Sequence, residues 1–260
     1  MGIVNVTPDS FADGGQHADA ASALRHCEQL LKDGADILDI GGESTRPGSP
    51  AAPLAEELAR LLPVLREAVK LGSPISVDTS KPEVMAAALD LGADIINDVW
   101  ALRRPGALDV VRAHPACGVC LMHMHGSPQT MQQAPMQGDA VPQVLRFLQQ
   151  AAQTLQAQGV EPSRIVVDPG IGFGKTVAQN FALLARQAEL LAAGYPLLVG
   201  WSRKSALGGE PPAERLPASL AAALLAVERG ARIVRVHDVR ETAQALAVWR
   251  QARPDSAGGY

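Results

Sequence analysis

Cysteine is scarce in this sequence. Cys27, Cys117 and Cys120 are all that 260 residues contain, too few for a disulfide framework, and no signal peptide precedes Met1-Gly2-Ile3, so a reducing cytoplasm is the expected location. Long apolar runs are missing too. None reaches the roughly 18 residues that a membrane-spanning helix needs, so no membrane partner is expected. Positive charge is not in excess: a formal net charge of -4 and a pI of about 5.9 exclude the basic footprint of a nucleic-acid-binding protein. An anionic ligand would have to be held by a local cluster of cations. With no low-complexity tract, 47% hydrophobic and 19% charged residues, the chain reads as globular, and its length suits one α/β barrel domain.

What the sequence does have is alternation. Short β-rich runs at 2–6, 37–40, 75–78, 95–99, 119–123, 165–168, 197–200 and 233–237 are separated by helical patterns. The clearest pattern places Leu54, Leu58, Leu61, Leu62, Leu65 and Val69 on one face. Gly34, Gly92 and Gly230 each stand where a helix stops just before the next strand. Eight strand–helix units with right-handed crossovers predict a closed parallel TIM (β/α)8 barrel over residues 1–252, with a disordered tail over 253–260. A doubly wound open sheet is the competing architecture, though it usually has fewer strands. Helix-to-strand connections are short, whereas strand-to-helix connections include long ones at 7–16, 42–53, 126–142 and 205–217. In a barrel these share the C-terminal face, where sites are built.

Side chains alternate along a strand, and the inward positions near the strand ends hold Asn5, Asp78, Asn97, Asp168, Arg235 and His237. Any one of them alone is a local cap; the set, gathered at one end of a barrel, predicts a ligand. Asp78, Asn97 and Asp168 offer acceptors and amide donors that suit a flat nitrogen heterocycle. Arg46, Lys204, Arg235 and His237 offer positive charge for an anion such as phosphate. Several sharper-looking motifs fail. The run Gly170-Ile171-Gly172-Phe173-Gly174-Lys175-Thr176 ends like a P-loop, but its first required glycine falls on Pro169, so its glycines are expected to let backbone approach a ligand. Cys117, Cys120, His123 and His125 have the composition of a metal cluster, yet Cys120 and His123 would point to opposite faces of one strand. A Schiff base at Lys204 is weighed against an ionised lysine in a polar loop, which its neighbours Ser202, Arg203 and Ser205 favour.

Seven segments then carry a likeness. They are Asn5-Val6-Thr7-Pro8-Asp9-Ser10-Phe11, the GGESTRPG run at 41–48, Ser76-Val77-Asp78-Thr79, Ile96-Asn97-Asp98, Asp168-Pro169-Gly170, Ser202-Arg203-Lys204-Ser205 and Arg235-Val236-His237. In this order they resemble the dihydropteroate synthase family of bacterial folate synthesis, from residue 2 to about residue 248. The resemblance implies a homodimeric barrel, the target of sulfonamides, that joins 6-hydroxymethyl-7,8-dihydropterin diphosphate to p-aminobenzoate and releases pyrophosphate. It implies that Asp78, Asn97, Asp168 and Lys204 hold the pterin. Asn5 with Mg²⁺, together with Thr45, Arg46, Arg235 and His237, would hold the diphosphate. Thr45, Pro47, Phe173 and Ser202 would frame p-aminobenzoate, Phe11 and Asp13 would lie on a mobile loop, and Asp78, Asp168, Lys204 and Arg46 would act in catalysis. The run at 41–50 is then an active-site lid, and Arg46→Ala should impair turnover far more than folding.

Members of the family usually carry a short segment before the first strand that covers the barrel floor, whereas here Met1 adjoins that strand; this bears on stability more than on chemistry. The small apolar residues of 217–230 would suit a dimer face, as they would any alanine-rich helix. Two rival functions remain open. A methyltetrahydrofolate-binding methyltransferase domain would not need the cationic set, and a non-catalytic pterin-binding paralogue would bind without turnover.

Overall fold

Eight parallel strands form among the residues that the computed structural model of the chain describes, which are 1–7, 15–45 and 48–252. Phe11, Asp13, Arg46, Pro47 and the tail at 253–260 lie outside them. The strands are β1 (Gly2–Asn5), β2 (Leu38–Gly41), β3 (Ile75–Asp78), β4 (Ile95–Asp98), β5 (Gly118–Met122), β6 (Ile165–Asp168), β7 (Leu198–Val199) and β8 (Ile233–Val234). Those from β1 to β6 pair in chain order, and β7 pairs with β8. A parallel bridge between Val167 and Leu197 joins the two sheets on one side, and one between Gly2 and Val236 joins them on the other. The result is the closed (β/α)8 barrel that the alternation predicts.

Strand ends match expectation at β3 and β6 and differ by one residue elsewhere, except at β8, which is three residues shorter than the run at 233–237. Pairing continues beyond Val234 only as single contacts: Arg235 N donates to Val199 O at 2.9 Å on the β7 side, and on the β1 side Val236 N donates to Met1 O and Val236 O accepts from Ile3 N, each at 3.0 Å. Arg235 and His237 therefore sit past the strand, where the barrel closes.

The helices are α1 (Gly15–Lys32), α2 (Leu54–Ala68), α3 (Pro82–Asp90), α4 (Ala107–Ala113), α5 (Ala140–Ala157), α6 (Val177–Ala185), α7 (Gln187–Leu190), α8 (Leu216–Glu228) and α9 (Val239–Gln251). Thr176 and Gln179 start α6 with a reciprocal capping box. Gly34, Gly92 and Gly230 have φ of 100°, 99° and 95°, the left-handed turn that ends a helix. Outward residues of the strands, such as Val4, Ile40, Val77, Ile96, Leu121 and Val167, bury against the helices, each contributing roughly 1.5–3 kcal/mol. Inside the barrel, Met1, Cys120 and Leu198 pack with Ile37, Val166 and Ile233 below the polar strand ends. The buried face of α2 consists of Glu57, Leu61, Val64, Leu65 and Ala68. A glutamate thus sits in the buried stripe, where the sequence pattern predicts only leucines and Val69.

Candidate active site

The strand ends open into a cavity of about 490 Å³, lined by Asn5, Thr45, Asp78, Asn97, Asp168, Phe173, Ser202, Lys204, Arg235 and His237. Every site residue expected from the sequence that falls among the described residues is in that wall. Parity brings them there, because β1, β3 and β6 end on an inward polar residue, Asn5, Asp78 and Asp168, and β4 carries inward Asn97 one residue before its end.

Arg235 organises one side. Its Nε donates to Asp39 Oδ2 at 2.6 Å and its Nη2 to Asp78 Oδ2 at 2.7 Å. Asp39, fully buried, also accepts from Asn97 Nδ2 at 3.3 and 3.4 Å. Sequence reasoning passed over Asp39, although a carboxylate in the middle of an apolar strand, two residues before its inward end, is a signal in itself. Burial alone would lower the Arg235 pKa, but Asp39 and Asp78 outweigh it and hold the guanidinium charged. Burial pushes the Asp78 carboxyl up to about 7 against the pull of Arg235, with Asp39 adding to the rise. Asp168 is also raised by burial, although Gly170 N donates to its Oδ1 at 2.7 Å and Lys204 stands near.

Opposite lies the turn after β7. Arg203 has φ 58°, a left-handed conformation that costs about 1–3 kcal/mol in a non-glycine residue. Its guanidinium grips Asp238 with two bonds, of 3.0 and 2.5 Å, and its N–H donates to Ser219 Oγ at 2.9 Å. These contacts hold the turn so that Ser202 and Lys204, on either side, both reach the cavity. Lys204 Nζ lies 4.4 Å from the centre of the Phe173 ring, a cation–π contact that orders both. Burial, and then Arg235, lower the Lys204 ammonium to about 8, so it is charged at neutral pH. His237 departs from expectation. Burial and the nearby Arg235 hold its imidazole down to about 3, and Nδ1 lies 3.0 Å from Ser202 Oγ. In this site it is a neutral hydrogen-bonding group, and the standing positive charge comes from Arg235 and Lys204.

The glycine run after β6 is a correction of another kind. Gly170 and Gly174 both have φ 67°. A Cβ at the first would overlap the carbonyl oxygen of His123, and one at the second that of His125. These two glycines let one loop lie against the backbone of the neighbouring loop rather than against a ligand; Gly172, beside the Lys204 side chain, is the one that faces the cavity. Buried Lys175 completes the loop by donating to Gly170 O, Phe173 O and His123 O at 2.8, 3.1 and 3.3 Å. Cys120 and His123 do diverge: Cys120 packs inside the barrel, and His123 meets the Phe147 ring edge-on at 5.0 Å.

Among the described residues no group of three or more His, Cys, Asp or Glu side chains could enclose a metal ion. The Asn5 amide at the cavity wall fits a more open kind of site, in which Mg²⁺ keeps waters and substrate phosphate oxygens and takes little from the protein.

A closed barrel with carboxylates, an amide and two cations at its mouth suits a flat nitrogen heterocycle that carries an anionic group, and the comparisons give that class a family. The chain belongs to the pterin-binding enzyme family, whose model matches residues 1–237, and within it to the dihydropteroate synthases. The dihydropteroate synthase of Neisseria meningitidis serogroup B is 53% identical over 258 residues, covering 96% of this chain and 90% of that protein. The Yersinia pestis dihydropteroate synthase, solved in a sulfonamide drug complex, superposes with a TM-score of 0.92 at 44% identity, over 98% of this chain and 94% of that one. The Burkholderia cenocepacia enzyme complexed with 7,8-dihydropteroate gives 0.88 at 53% identity, over 97% and 90%.

Proposed function

We propose that this chain condenses 6-hydroxymethyl-7,8-dihydropterin diphosphate with p-aminobenzoate, giving 7,8-dihydropteroate and pyrophosphate. The observation that carries the reading is the joint presence, in one cavity, of Asp78, Asn97 and Asp168 for a heterocycle and of Lys204 and Arg235 for an anion. A pterin binder of the methyltransferase kind would have no use for the second set.

In the reaction the methylene–oxygen bond breaks, and its electron pair leaves with pyrophosphate. The amine nitrogen bonds to the methylene and gives up a proton to the departing pyrophosphate or to water. Asp78, Asn97, Asp168 and Lys204 orient the pterin ring, and the ionised carboxylates stabilise positive charge as it develops on the methylene. Arg235 and neutral His237 donate to the diphosphate, with Thr45 and Arg46 completing its binding from the β2–α2 loop. Bound at Asn5, Mg²⁺ would supply further neutralisation of the leaving group. Phe173, Ser202, Thr45 and Pro47 frame p-aminobenzoate, where sulfonamides would compete with it. Holding the amine in line and excluding water favours nitrogen over water as nucleophile; Phe11 and Asp13 belong to the other loop that would cover the site. We further propose a homodimer working in the cytoplasm. No helix among the described residues is long and apolar enough to cross a membrane.

Purified protein given Mg²⁺ and the dihydropterin diphosphate should release pyrophosphate only when p-aminobenzoate is added, with dihydropteroate identified by mass. Pterin binding without turnover in folded protein would overturn the synthase reading in favour of a non-catalytic binder.

A further inference from the structure

The β2–α2 loop, residues 42–53, is anchored by charges that the chemistry above does not use. Lys81, almost fully buried just beyond β3, donates to Glu43 Oε2 at 2.5 Å and forms a second ion pair with Glu57, which is completely buried on α2. Thr79 Oγ1 donates to the other oxygen of Glu57 at 2.6 Å. Glu43 Oε1, in turn, accepts from the backbone N–H of Ala52 at 3.2 Å. One carboxylate therefore ties the start of the loop to its end, and ties both to the unit that carries Asp78.

Such a network is a poor way to gain stability. Taking a lysine and two glutamates out of water costs several kcal/mol per ion, and well-packed apolar residues often do as well or better. What the three charges do provide is direction, because each hydrogen bond is satisfied in one arrangement only. Burial opposes the charge on Lys81, but hydrogen bonds and charge from Glu43 and Glu57 outweigh it and raise its pKa, so the hub is charged at neutral pH. Between the fixed ends the loop makes lighter contacts. Ser44 and Ser49 hydroxyls lie 3.0 Å apart, and Gly48 N donates to Pro128 O at 3.2 Å. Thr45, two residues from Glu43, stands with Asp78, Thr79 and Ser80 around a small polar recess beside the main cavity.

We infer that Glu43, Lys81 and Glu57 form a buried clasp that positions the Thr45 limb of this loop over the cavity for capture of p-aminobenzoate. Glu43, at the edge of the cavity, is the positioning residue of the clasp and Lys81 its hub; neither is given a part in the bond-making step. The inference rests on the proposed synthase reading for its ligand, and on geometry alone for the clasp.

Glu43→Ala is the decisive variant, because it leaves Lys81 paired one-to-one with Glu57 and should fold. It should raise KM for p-aminobenzoate at least tenfold, keep KM for the pterin diphosphate within about twofold and kcat within about threefold. Glu43→Gln, which keeps an acceptor for Ala52 N but loses the charge, should fall between. An unchanged p-aminobenzoate KM in folded Glu43→Ala, or an equal rise in both KM values, would overturn the inference. Hydrogen exchange of the Ala52 amide, measured without substrate, should be at least tenfold faster in Glu43→Ala; unchanged exchange would overturn the clasp directly. Should the unaltered chain show no p-aminobenzoate-dependent turnover, the synthase reading fails by itself, and the exchange result alone decides the clasp.

Discussion

Two loops on strands four apart in the barrel contribute to the cavity wall, and they are held by opposite means. The β6–α6 loop is fixed along its backbone: Gly170 and Gly174 in left-handed conformations lie against the His123 and His125 carbonyls, and Lys175 bonds three carbonyl oxygens beneath it. The β2–α2 loop is fixed at its base by Glu43, Lys81 and Glu57, with lighter contacts further out. A backbone lock fixes the whole length of a loop, whereas an ion-pair base fixes only its ends and leaves the residues between them to lighter contacts.

The hardest way to break the contrast is Gly170→Ala. The added Cβ would meet backbone, which cannot yield as a side chain can, so about 2–4 kcal/mol of stability should be lost. Turnover should go with it, as read by urea unfolding and pyrophosphate release. Wild-type stability in this variant would mean that the loop is not backbone-locked.

Next is Asp168→Asn, which should lower kcat by about 10²- to 10³-fold by removing charge aimed at the reacting methylene, while the fold survives. The sign follows from the raised carboxyl. Stability linked to Asp168 is fully present below its unfolded pKa and is lost as pH rises through the folded value, whereas the amide never ionises. Thermal unfolding at pH 8 should therefore find the variant no less stable than the parent.

A profile of kcat/KM against pH sharpens the comparison without any substitution. Asp78 becomes a carboxylate only as pH rises through about 7, and Lys204 loses its proton above about 8. Activity should rise through the first value and fall through the second, as a narrow bell. A flat profile from pH 6 to 9 would show that neither group's charge limits the reaction.

The smallest effect is expected at Thr45→Ala, two residues beyond the anchor of the β2–α2 loop at Glu43. KM for p-aminobenzoate should rise a few-fold, with no change in thermal midpoint. Calorimetry of pterin binding should give the parent value, and a large loss there would place Thr45 in the fixed wall instead.

Much of the barrel was legible in the sequence. Runs of β-branched residues with glycine stops predicted the strands, and parity picked out Asn5, Asp78, Asn97 and Asp168, because alternation is a local property of an extended chain. Glu57 was not legible: it sits on α2 at the spacing of a core residue, and only the arrival of Lys81 from another unit makes its burial tolerable. Gly170 and Gly174 were read for the right property, permissive backbone, and the wrong neighbour, whereas Gly172 does face the cavity. Asp39 was hidden by its apolar flanks, since its partner Arg235 is 196 residues away.

By itself, then, the sequence determined which segments extend, which coil, and which polar residues must gather at one end of the barrel. Each of those follows from periods of two and 3.6 residues and from the conformational limits of glycine. Tertiary structure alone decided who pairs with whom and in what protonation state. His237 is neutral and Arg235 charged because burial penalises every ion, and only a carboxylate brought within hydrogen-bonding distance by the closing barrel reverses that penalty.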